Sequence, residues 1–411
     1  MLIMKKLKVL VTGANFTNKG AQSMLFVTVD EIRKRYPEAD IMFQTVESMD
    51  LSNYRFERAY FPQGAWRIAA GGVDGACQSA VRFCKDTIKY IGGKRNDYLS
   101  AFKTISKLSD LDVIIDISGY AIGEKWSLQH NYDFVDRLRY AKKKNIPFYV
   151  MPQSIGSFSF EKKFGEKKGK KLKESFRKYL TYPKKIYVRE QEGIDNLKKI
   201  DIVENVQFST DLVLQNSGID WKNIYIKSPK ICVPAVKSGS NVALVPNCQC
   251  LTNNNDAVNT YSMVIKNLEK RGKNVYIIRH SNDDSDLCRK IFELTKSENV
   301  FLINQDLSCI EYDKLISQFD FVVGSRFHGI VHSLKNGVPC LALGWATKYK
   351  DLLELFDQGK YVFDITNEVS ESDITEALDD MEKNCSTNSR IIKKRLSLIQ
   401  KDNCFSFLDN I

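Results

Sequence analysis

An arginine and a histidine stand two residues apart, where an apolar stretch gives way to a helical pattern. Arg326 and His328 lie in the segment GSRFHGIVHSLKNGVP, after the strand-like run DFVVGS that ends at Ser325. If the turn is extended, both side chains leave the chain on the same side, and we expect the helix to begin near Gly329. A guanidinium group fits a carboxylate or a phosphate, and an imidazole exchanges protons near neutral pH. The segment therefore predicts an anion site that contains an acid–base group.

Two more cationic side chains follow other apolar stretches. Arg189 lies in the run KIYVRE, and Lys348 comes shortly after the run PCLALG. An ion pair of Arg189 with Glu190 or Glu192 explains that arginine equally well. The carboxyl ends of parallel strands line one crevice. These groups and the Arg-x-His turn therefore predict a cationic pocket for a small polyanion, with His328 as its acid–base residue.

The first turn of the chain offers a weaker anion site. Asn18 and Gly20 lie in TGANFTNKGAQSM, just before a helical pattern, where backbone N–H groups favour anions. A capped helix that binds no ligand explains the same residues equally well. The spacing of Gly13 and Gly20 does not fit a dinucleotide-binding fingerprint, and the sequence contains no Walker loop, GxSxG elbow or HExxH pair. We interpret His332 as a packed helical residue rather than a metal ligand, because no carboxylate accompanies it at a matching spacing.

Alternating strands and helices must position these groups. Apolar runs of strand length alternate with helical periodicity in two series. The predicted strands cover residues 7–13, 40–46, 112–119, 147–156 and 185–190, and then 241–246, 274–280, 300–304, 319–325 and 339–344. Such a βαβ rhythm is typical of doubly wound parallel sheets. The sequence therefore predicts an α/β fold of two Rossmann-like doubly wound domains that face each other across a cleft.

A segment with Pro, Gly and Ser separates the two series and predicts a domain boundary. We expect an N-terminal domain over residues 1–228, a C-terminal domain over 229–385, and a helical tail over 386–411 that packs back on the N-terminal domain. Residues 56–105 fit the βαβ pattern least well, and we interpret them as an insertion on the first domain. A helix that rests on a membrane surface is the alternative for this segment.

The composition indicates a globular protein, with 43% hydrophobic and 27% charged residues. Lysine runs such as 162–173 contribute to the net charge of +11. They either face solvent or attract an anionic lipid or substrate. We expect no nucleic acid as a partner, because no nucleic-acid-binding motif accompanies the charge.

The ten cysteines and the apolar runs indicate the compartment. We expect reduced thiols rather than zinc ligands or disulfides, because the only close pair has C-x-C spacing and no second pair. The sequence shows no signal peptide and no apolar run long enough to span a bilayer. We therefore expect a cytoplasmic protein, and contact with the inner face of the cytoplasmic membrane stays open.

Several segments together resemble the polysaccharide pyruvyl transferase family. The segment GSRFHGIVHSLKNGVPCLAL followed by ATK is similar to that family's C-terminal signature. The segments NKGAQSM, ISGYAIGEKW, VMPQSIGSF, YVREQEGIDNL and STDLVL occur in the family's order, so that the resemblance extends from about residue 8 to 360. Ser157 stands where the family has a proline, and Gly193 where it has a serine. These departures concern loop shape and acceptor choice more than the reaction.

The resemblance implies a fold like that of GT-B glycosyltransferases and a role in bacterial surface or capsular polysaccharide synthesis. The implied reaction moves the pyruvyl group of phosphoenolpyruvate (PEP) onto two hydroxyls of a sugar. Whether this sugar acceptor is lipid-linked stays open. The reaction requires no metal or bound cofactor. The implied proton-transfer residue is His328. The implied donor-binding residues are Arg189, Arg326, Lys348, Ser325, Asn18 and Gly20. The implied acceptor-side residues are Asp116, Gly119, Tyr120 and Gln153.

Two other functions stay open on the sequence alone. A nucleotide-sugar glycosyltransferase uses the same two-domain frame, although the Arg-x-His turn with a lysine suits a compact polyanion better than a base and a ribose. A non-catalytic saccharide- or membrane-binding component of an assembly complex is the second alternative.

Overall fold

The computed structural model of this 411-residue chain describes residues 6–47, 49–61, 65–71, 108–253, 257–344, 347–365 and 369–411. Within these residues, strands and helices alternate along most of the chain. The strands are β1 (Lys8–Thr12), β2 (Asp40–Thr45), β3 (Glu57–Tyr60), β4 (Val113–Asp116), β5 (Phe148–Gln153), β6 (Lys185–Val188), β7 (Val206–Phe208), β8 (Asn241–Val245), β9 (Asn274–Ile278), β10 (Val300–Ile303), β11 (Phe321–Gly324), β12 (Cys340–Gly344) and β13 (Val362–Asp364). The helices are α1 (Lys19–Arg35), α2 (Ala65–Ala69), α3 (Leu128–Lys144), α4 (Phe160–Phe164), α5 (Glu166–Tyr179), α6 (Gln191–Lys198), α7 (Leu212–Gln215), α8 (Trp221–Ile224), α9 (Gln249–Asn253), α10 (Ala257–Lys270), α11 (Ser285–Thr295), α12 (Cys309–Ile316), α13 (Phe327–Lys335), α14 (Thr347–Glu354) and α15 (Glu371–Ile399).

The first sheet is parallel and doubly wound, in the order β3-β2-β1-β4-β5-β6-β7. Its central strands are buried on both faces, because helices cover both sides of a sheet of this kind. The chain reverses direction across the sheet between β1 and β4. A reversal of this kind opens a crevice at the carboxyl ends of the two strands.

The second sheet repeats the arrangement in the order β10-β9-β8-β11-β12-β13. All five residues of β8 are buried, as the apolar run NVALV predicts. The reversal lies between β8 and β11, and the Arg-x-His turn follows β11. The prediction of two Rossmann-like α/β domains is confirmed, and the turn lies at the reversal point of the second one.

Three short strands went unpredicted, and each lies at the edge of a sheet: β3, β7 and β13. The strand β3 falls inside the segment 56–105 that we interpreted as an insertion, and it pairs with β2. The following helix α2 packs into the same domain, since the ring of Trp66 lies 4.4 Å from that of Phe61. Residues 62–64 and 72–105 of that segment lie outside the described residues.

The last helix and the chain end connect the two sheets. Helix α15 is continuous across residues 385 and 386, where we expected the tail to begin. The chain beyond it reaches the first sheet, where the ring of Phe407 stacks on Tyr149 at 3.7 Å. The hydroxyl of Tyr36 donates to the carbonyl oxygens of Leu408 and Ile411. A cavity of about 480 Å³ lies under this chain end, away from the Arg-x-His turn.

Helix α1 belongs to the first domain and contacts the second. The side-chain oxygen of Gln22 accepts a hydrogen bond from the backbone N–H of Cys309 at 2.7 Å. The ammonium group of Lys19 is buried and pairs with Asp306. These contacts hold the carboxyl ends of the two sheets against each other.

Candidate active site

Arg189 lies directly after β6 and is fixed by the first domain. Its Nη1 donates to Oδ2 of Asp211 at 2.8 Å, and its Nε donates to the hydroxyl of Ser154 at 3.0 Å. Glu190, the partner that the sequence suggested as an alternative, is farther from the guanidinium group, at 3.8 Å. Both carboxylates are buried. The guanidinium carbon also lies 4.1 Å above the ring of Phe327, which belongs to the second domain.

His328 lies in the first turn of α13, because the helix begins at Phe327 rather than near Gly329. Its Nε2 is 3.3 Å from Oδ2 of Asp211, although the two groups are not aligned for a hydrogen bond. The other side of the ring lies against Gly20, where a Cβ atom would be 2.0 Å from the ring. Only a glycine therefore fits at this position of α1.

Asp211 is the counter-charge of Arg189 and lies against His328 as well. It is the N-cap of α7, and its Oδ1 accepts a hydrogen bond from the backbone N–H of Val213 at 3.0 Å. Burial alone would raise the pKa of this carboxyl, but His328 and Arg189 outweigh burial and hold the pKa well below its usual range. Burial lowers the pKa of His328, against the opposing charge of Asp211. The imidazole is therefore neutral at neutral pH.

Arg326 points to a different partner, which corrects the expectation that it leaves the chain beside His328. Its Nε and Nη2 donate to both oxygens of the buried carboxylate of Asp284. The cause is the helix start: Arg326 is extended at the N-cap position, while His328 is already helical. The two side chains therefore diverge, although they leave neighbouring residues.

Lys348 is the cation with the least compensation. Its Nζ lies 5.4 Å from the ring centroid of Phe327, 5.6 Å from that of Tyr349 and 5.8 Å from that of Tyr120. Within the described residues no carboxylate forms an ion pair with it. Burial and the charge of Arg189 lower the pKa of Lys348 to about 7. A multiply charged anion beside this ammonium group would restore its preference for the protonated form.

Two predicted donor-binding residues have their polar groups occupied by the protein. The hydroxyl of Ser325 is buried and accepts a hydrogen bond from Tyr261 at 2.8 Å. The side-chain oxygen of Asn18 caps α1 by accepting from the backbone N–H groups of Gly20 and Ala21. Both residues therefore shape the turns beside His328, and their contact with a ligand stays a prediction.

Asp116 and Gln153 are buried at the carboxyl ends of β4 and β5. Asp116 pairs with Arg137 from α3 and accepts a hydrogen bond from Thr12 at 2.8 Å. The side-chain oxygen of Gln153 accepts from the backbone N–H of Ala121 at 3.2 Å. These groups hold the turn after β4 in place, and their contact with an acceptor stays a prediction.

The turn that they support carries Gly119 and Tyr120. Gly119 has φ +68, and a Cβ there would contact Met24 of α1. Burial raises the pKa of Tyr120 to about 12, so that its hydroxyl stays protonated. Because the ring of Tyr120 lies near Lys348, the turn after β4 meets the cationic groups at this point.

Sequence reasoning missed four residues of this region: Asp211, Asp284, Phe327 and His280. Asp211 was visible within STDLVL, but its strand β7 is only three residues long. His280 closely follows the carboxyl end of β9. The strand-end rule that selected Arg189 would therefore have selected His280 as well. Its side chain is fully buried, and within the described residues neither ring nitrogen has a hydrogen-bond partner. Burial holds the pKa of His280 well below its usual range.

Comparison with known families identifies the signature segments. A family model described as polysaccharide pyruvyl transferase matches residues 18–347. The matched range includes Arg189, Arg326 and His328, and it ends one residue before Lys348. No curated protein sequence matches the chain.

Solved structures of GT-B enzymes share the fold. The chain is similar to UGT71G1 from Medicago truncatula complexed with UDP-glucose, with a TM-score of 0.51 and 12% identity over 97% of this chain and 95% of that one. The UDP-GlcNAc 2-epimerase from Neisseria meningitidis bound to UDP-GlcNAc gives a TM-score of 0.53 and 10% identity over 96% and 99% of the two chains. The corresponding epimerase from Methanocaldococcus jannaschii gives 0.52 and 9% over 95% and 99%. At these identities the similarity shows the fold alone.

The buried histidines predict that acid destabilises the protein. An unperturbed histidine has a pKa of 6.5, but burial lowers the pKa of His280 and His328, and it lowers that of His130 to about 4. As the pH falls below about 6.5, the unfolded chain binds protons that the folded chain does not. The free energy of unfolding should therefore fall by up to about 1.4 kcal/mol per pH unit for each histidine.

Urea unfolding between about pH 5.5 and 7.5 measures this slope. His280→Gln should reduce it by about a third, because one of the three histidines is gone. Tyr312→Phe is the matched control, since Tyr312 contacts the ring of His280 and does not titrate in this range. A slope that is the same in His280→Gln and in the wild type would contradict the prediction.

Proposed function

The chain belongs to the polysaccharide pyruvyl transferase family, and we propose that it transfers the pyruvyl group of PEP onto two hydroxyls of a sugar. The product would be a cyclic ketal on a bacterial surface polysaccharide or its precursor. The observation that carries the proposal is Lys348, a half-buried ammonium group without a carboxylate partner among the described residues. Its ammonium group and the guanidinium group of Arg189 both lie near the ring of Phe327, the residue that precedes His328.

The charges of this site suit PEP. The donor carries a carboxylate and a phosphate on a three-carbon frame, so that a few fixed cations suffice to neutralise it. Lys348 would hold the phosphate, because its own charge is otherwise uncompensated. Arg189 and Arg326 would contribute the remaining hydrogen bonds while Asp211 and Asp284 keep the two side chains oriented.

The proton balance assigns His328 a shuttle role. His328 takes the proton of the first sugar hydroxyl and passes it to the methylene carbon of PEP while the hydroxyl oxygen adds to the central carbon, and the bond to phosphate then breaks. The second hydroxyl then closes the ketal. One hydroxyl proton thus ends on the methylene carbon, which becomes a methyl group, and the other leaves with inorganic phosphate. A neutral His328 can accept a hydroxyl proton, and the adjacent Asp211 stabilises the imidazolium that returns it to carbon.

The acceptor would bind over the turn after β4. Gly119 and Tyr120 border the cationic groups, whereas Asp116 and Gln153 support that turn from below. A sugar here would present two neighbouring hydroxyls to the donor and to His328. The proposed reaction requires no metal ion and no bound cofactor.

The first test is ligand choice. PEP should raise the melting temperature of the protein, and UDP-glucose should not, because PEP suits the compact cationic site better than a base and a ribose do. A ligand at about 100 times its Kd stabilises a protein by about 2.7 kcal/mol, which thermal shift detects.

Phosphate release from PEP in the presence of candidate sugars, with the ketal identified by mass spectrometry, then tests the reaction. Stabilisation by UDP-sugars alone would favour the glycosyltransferase alternative, and failure of every donor to react would favour a binding protein.

His328→Gln should lower the turnover number about 10²–10⁴-fold, because it removes the proton shuttle. Stabilisation by PEP should persist, since the cationic groups are unchanged. His332→Gln is the control, because His332 contacts Ser23 and Asp313 instead of Asp211. A His328→Gln enzyme with full turnover would refute the assigned role.

Lys348 should make PEP affinity depend on pH. Its pKa of about 7 means that the free protein loses the ammonium charge as the pH rises. The affinity for PEP should therefore fall up to tenfold per pH unit above about 7, while PEP itself stays fully ionised.

Lys348→Arg should bind with little pH dependence between about pH 7 and 9, since arginine stays charged. Lys348→Met should bind weakly throughout, and an unchanged pH dependence in Lys348→Arg would contradict this assignment. Isothermal titration with PEP measures all three proteins.

A further inference from the structure

The positive charge of the chain is concentrated in two stretches. Residues 160–185 contain eleven Lys and Arg and three Asp and Glu, a net charge of +8, and residues 142–144 are three lysines. Together these stretches account for the whole net charge of +11. The rest of the chain is therefore balanced, and the excess charge is a local property.

Helix α5 directs this charge to one side. Gly169, Leu172 and Phe176 are buried and form the face that packs on the domain. The opposite face carries exposed lysines. With the exposed lysines of α3 and α4 they form what we call the lysine face: Lys142, Lys143, Lys144, Lys162, Lys163, Lys167, Lys168, Lys170 and Lys171.

The helices that carry the lysine face are packed side by side. A Cβ atom at Gly169 would lie 2.4 Å from the backbone nitrogen of Glu161, so α4 and α5 approach closely. At the other end, the guanidinium carbon of Arg139 in α3 lies 5.9 Å from the ring centroid of Tyr179 in α5. The lysines at the end of α3 therefore lie near the C-terminal end of α5, and Lys178 is exposed there as well.

The lysine face borders the acceptor side of the site. Nζ of Lys163 donates to the carbonyl oxygens of Glu124 and Lys125, at 2.8 and 3.0 Å. These residues belong to the turn after β4 that also carries Tyr120. A flat anionic surface against the lysine face would thus lie next to the acceptor side of the cleft.

We propose that the lysine face binds the anionic lipid headgroups of a bilayer, so that the protein rests on the membrane without entering it. Each lysine near such a surface contributes to binding, and several together hold a protein there. The lysine face is the exposed side of three packed helices and consists of lysines, whereas nucleic-acid sites favour the forked donors of arginine. In the described part of the chain, no helix is long and apolar enough to cross a bilayer. A sugar acceptor on a lipid carrier would then reach the turn at Tyr120 from the membrane, a consequence that rests on the proposed function.

Flotation of the full chain with vesicles tests the proposal. The vesicles are phosphatidylcholine alone, or phosphatidylcholine with about a third of phosphatidylglycerol. We expect the protein to float with the anionic vesicles at about 0.05 M salt and to be released at about 0.5 M salt, because salt screens charges at a surface. The variant Lys167→Gln, Lys168→Gln, Lys170→Gln, Lys171→Gln should bind at least tenfold more weakly.

The matched control removes the same charge elsewhere. Lys266, Lys270, Lys290 and Lys314 are exposed on helices of the second domain, and their replacement by Gln should leave vesicle binding within about twofold. Equal losses in both variants would overturn the proposal, as would equal binding to neutral vesicles. Tighter binding to a DNA duplex than to anionic vesicles at equal salt would also overturn it. Because the experiment measures vesicle binding, its outcome does not depend on whether PEP is the donor. Phosphate release with a water-soluble acceptor should be the same in both variants.

Discussion

The carboxylate of Asp211 is the contact on which the site depends. It caps α7, holds the guanidinium group of Arg189 and lies against the imidazole of His328. A buried carboxylate is stable only when such partners compensate for its lost hydration. Removing it would leave two basic groups adjacent and uncompensated in the same interior. One side chain thus orients Arg189, a proposed donor-binding residue, and lies against His328, the proposed proton shuttle.

The two domains contribute unequal parts to this arrangement. The first domain supplies Asp211, Arg189 and the turn at Tyr120, and the second supplies His328 and Lys348. Phe327 lies between them, with Arg189 on one side and Lys348 nearby. Its ring separates the positive charges of Arg189 and Lys348, which would otherwise repel each other more strongly. This spacing gives a small polyanion room to bind both charges.

Local patterns were sufficient to predict the fold and part of the site. Runs of Val, Ile and Leu broken by Gly and Pro indicate parallel strands, and the carboxyl-end rule pointed to Arg189, His328 and Lys348. Patterns could not show that Asp211 meets His328, because that contact joins distant parts of the chain. They also placed the helix start two residues late, since Arg326 is an N-cap without a capping hydrogen bond. Patterns also could not show that Asp116 is neutralised by Arg137, because that arginine comes from a helix that packs over it.

The split of the Asp211–His328 pair between two domains has a consequence for the resting protein. Asp211 comes from the first domain and His328 from the second, so the pair forms only where the two domains are in contact. If His328 is the proton shuttle that we propose, the relay is complete only in an arrangement that holds these domains together.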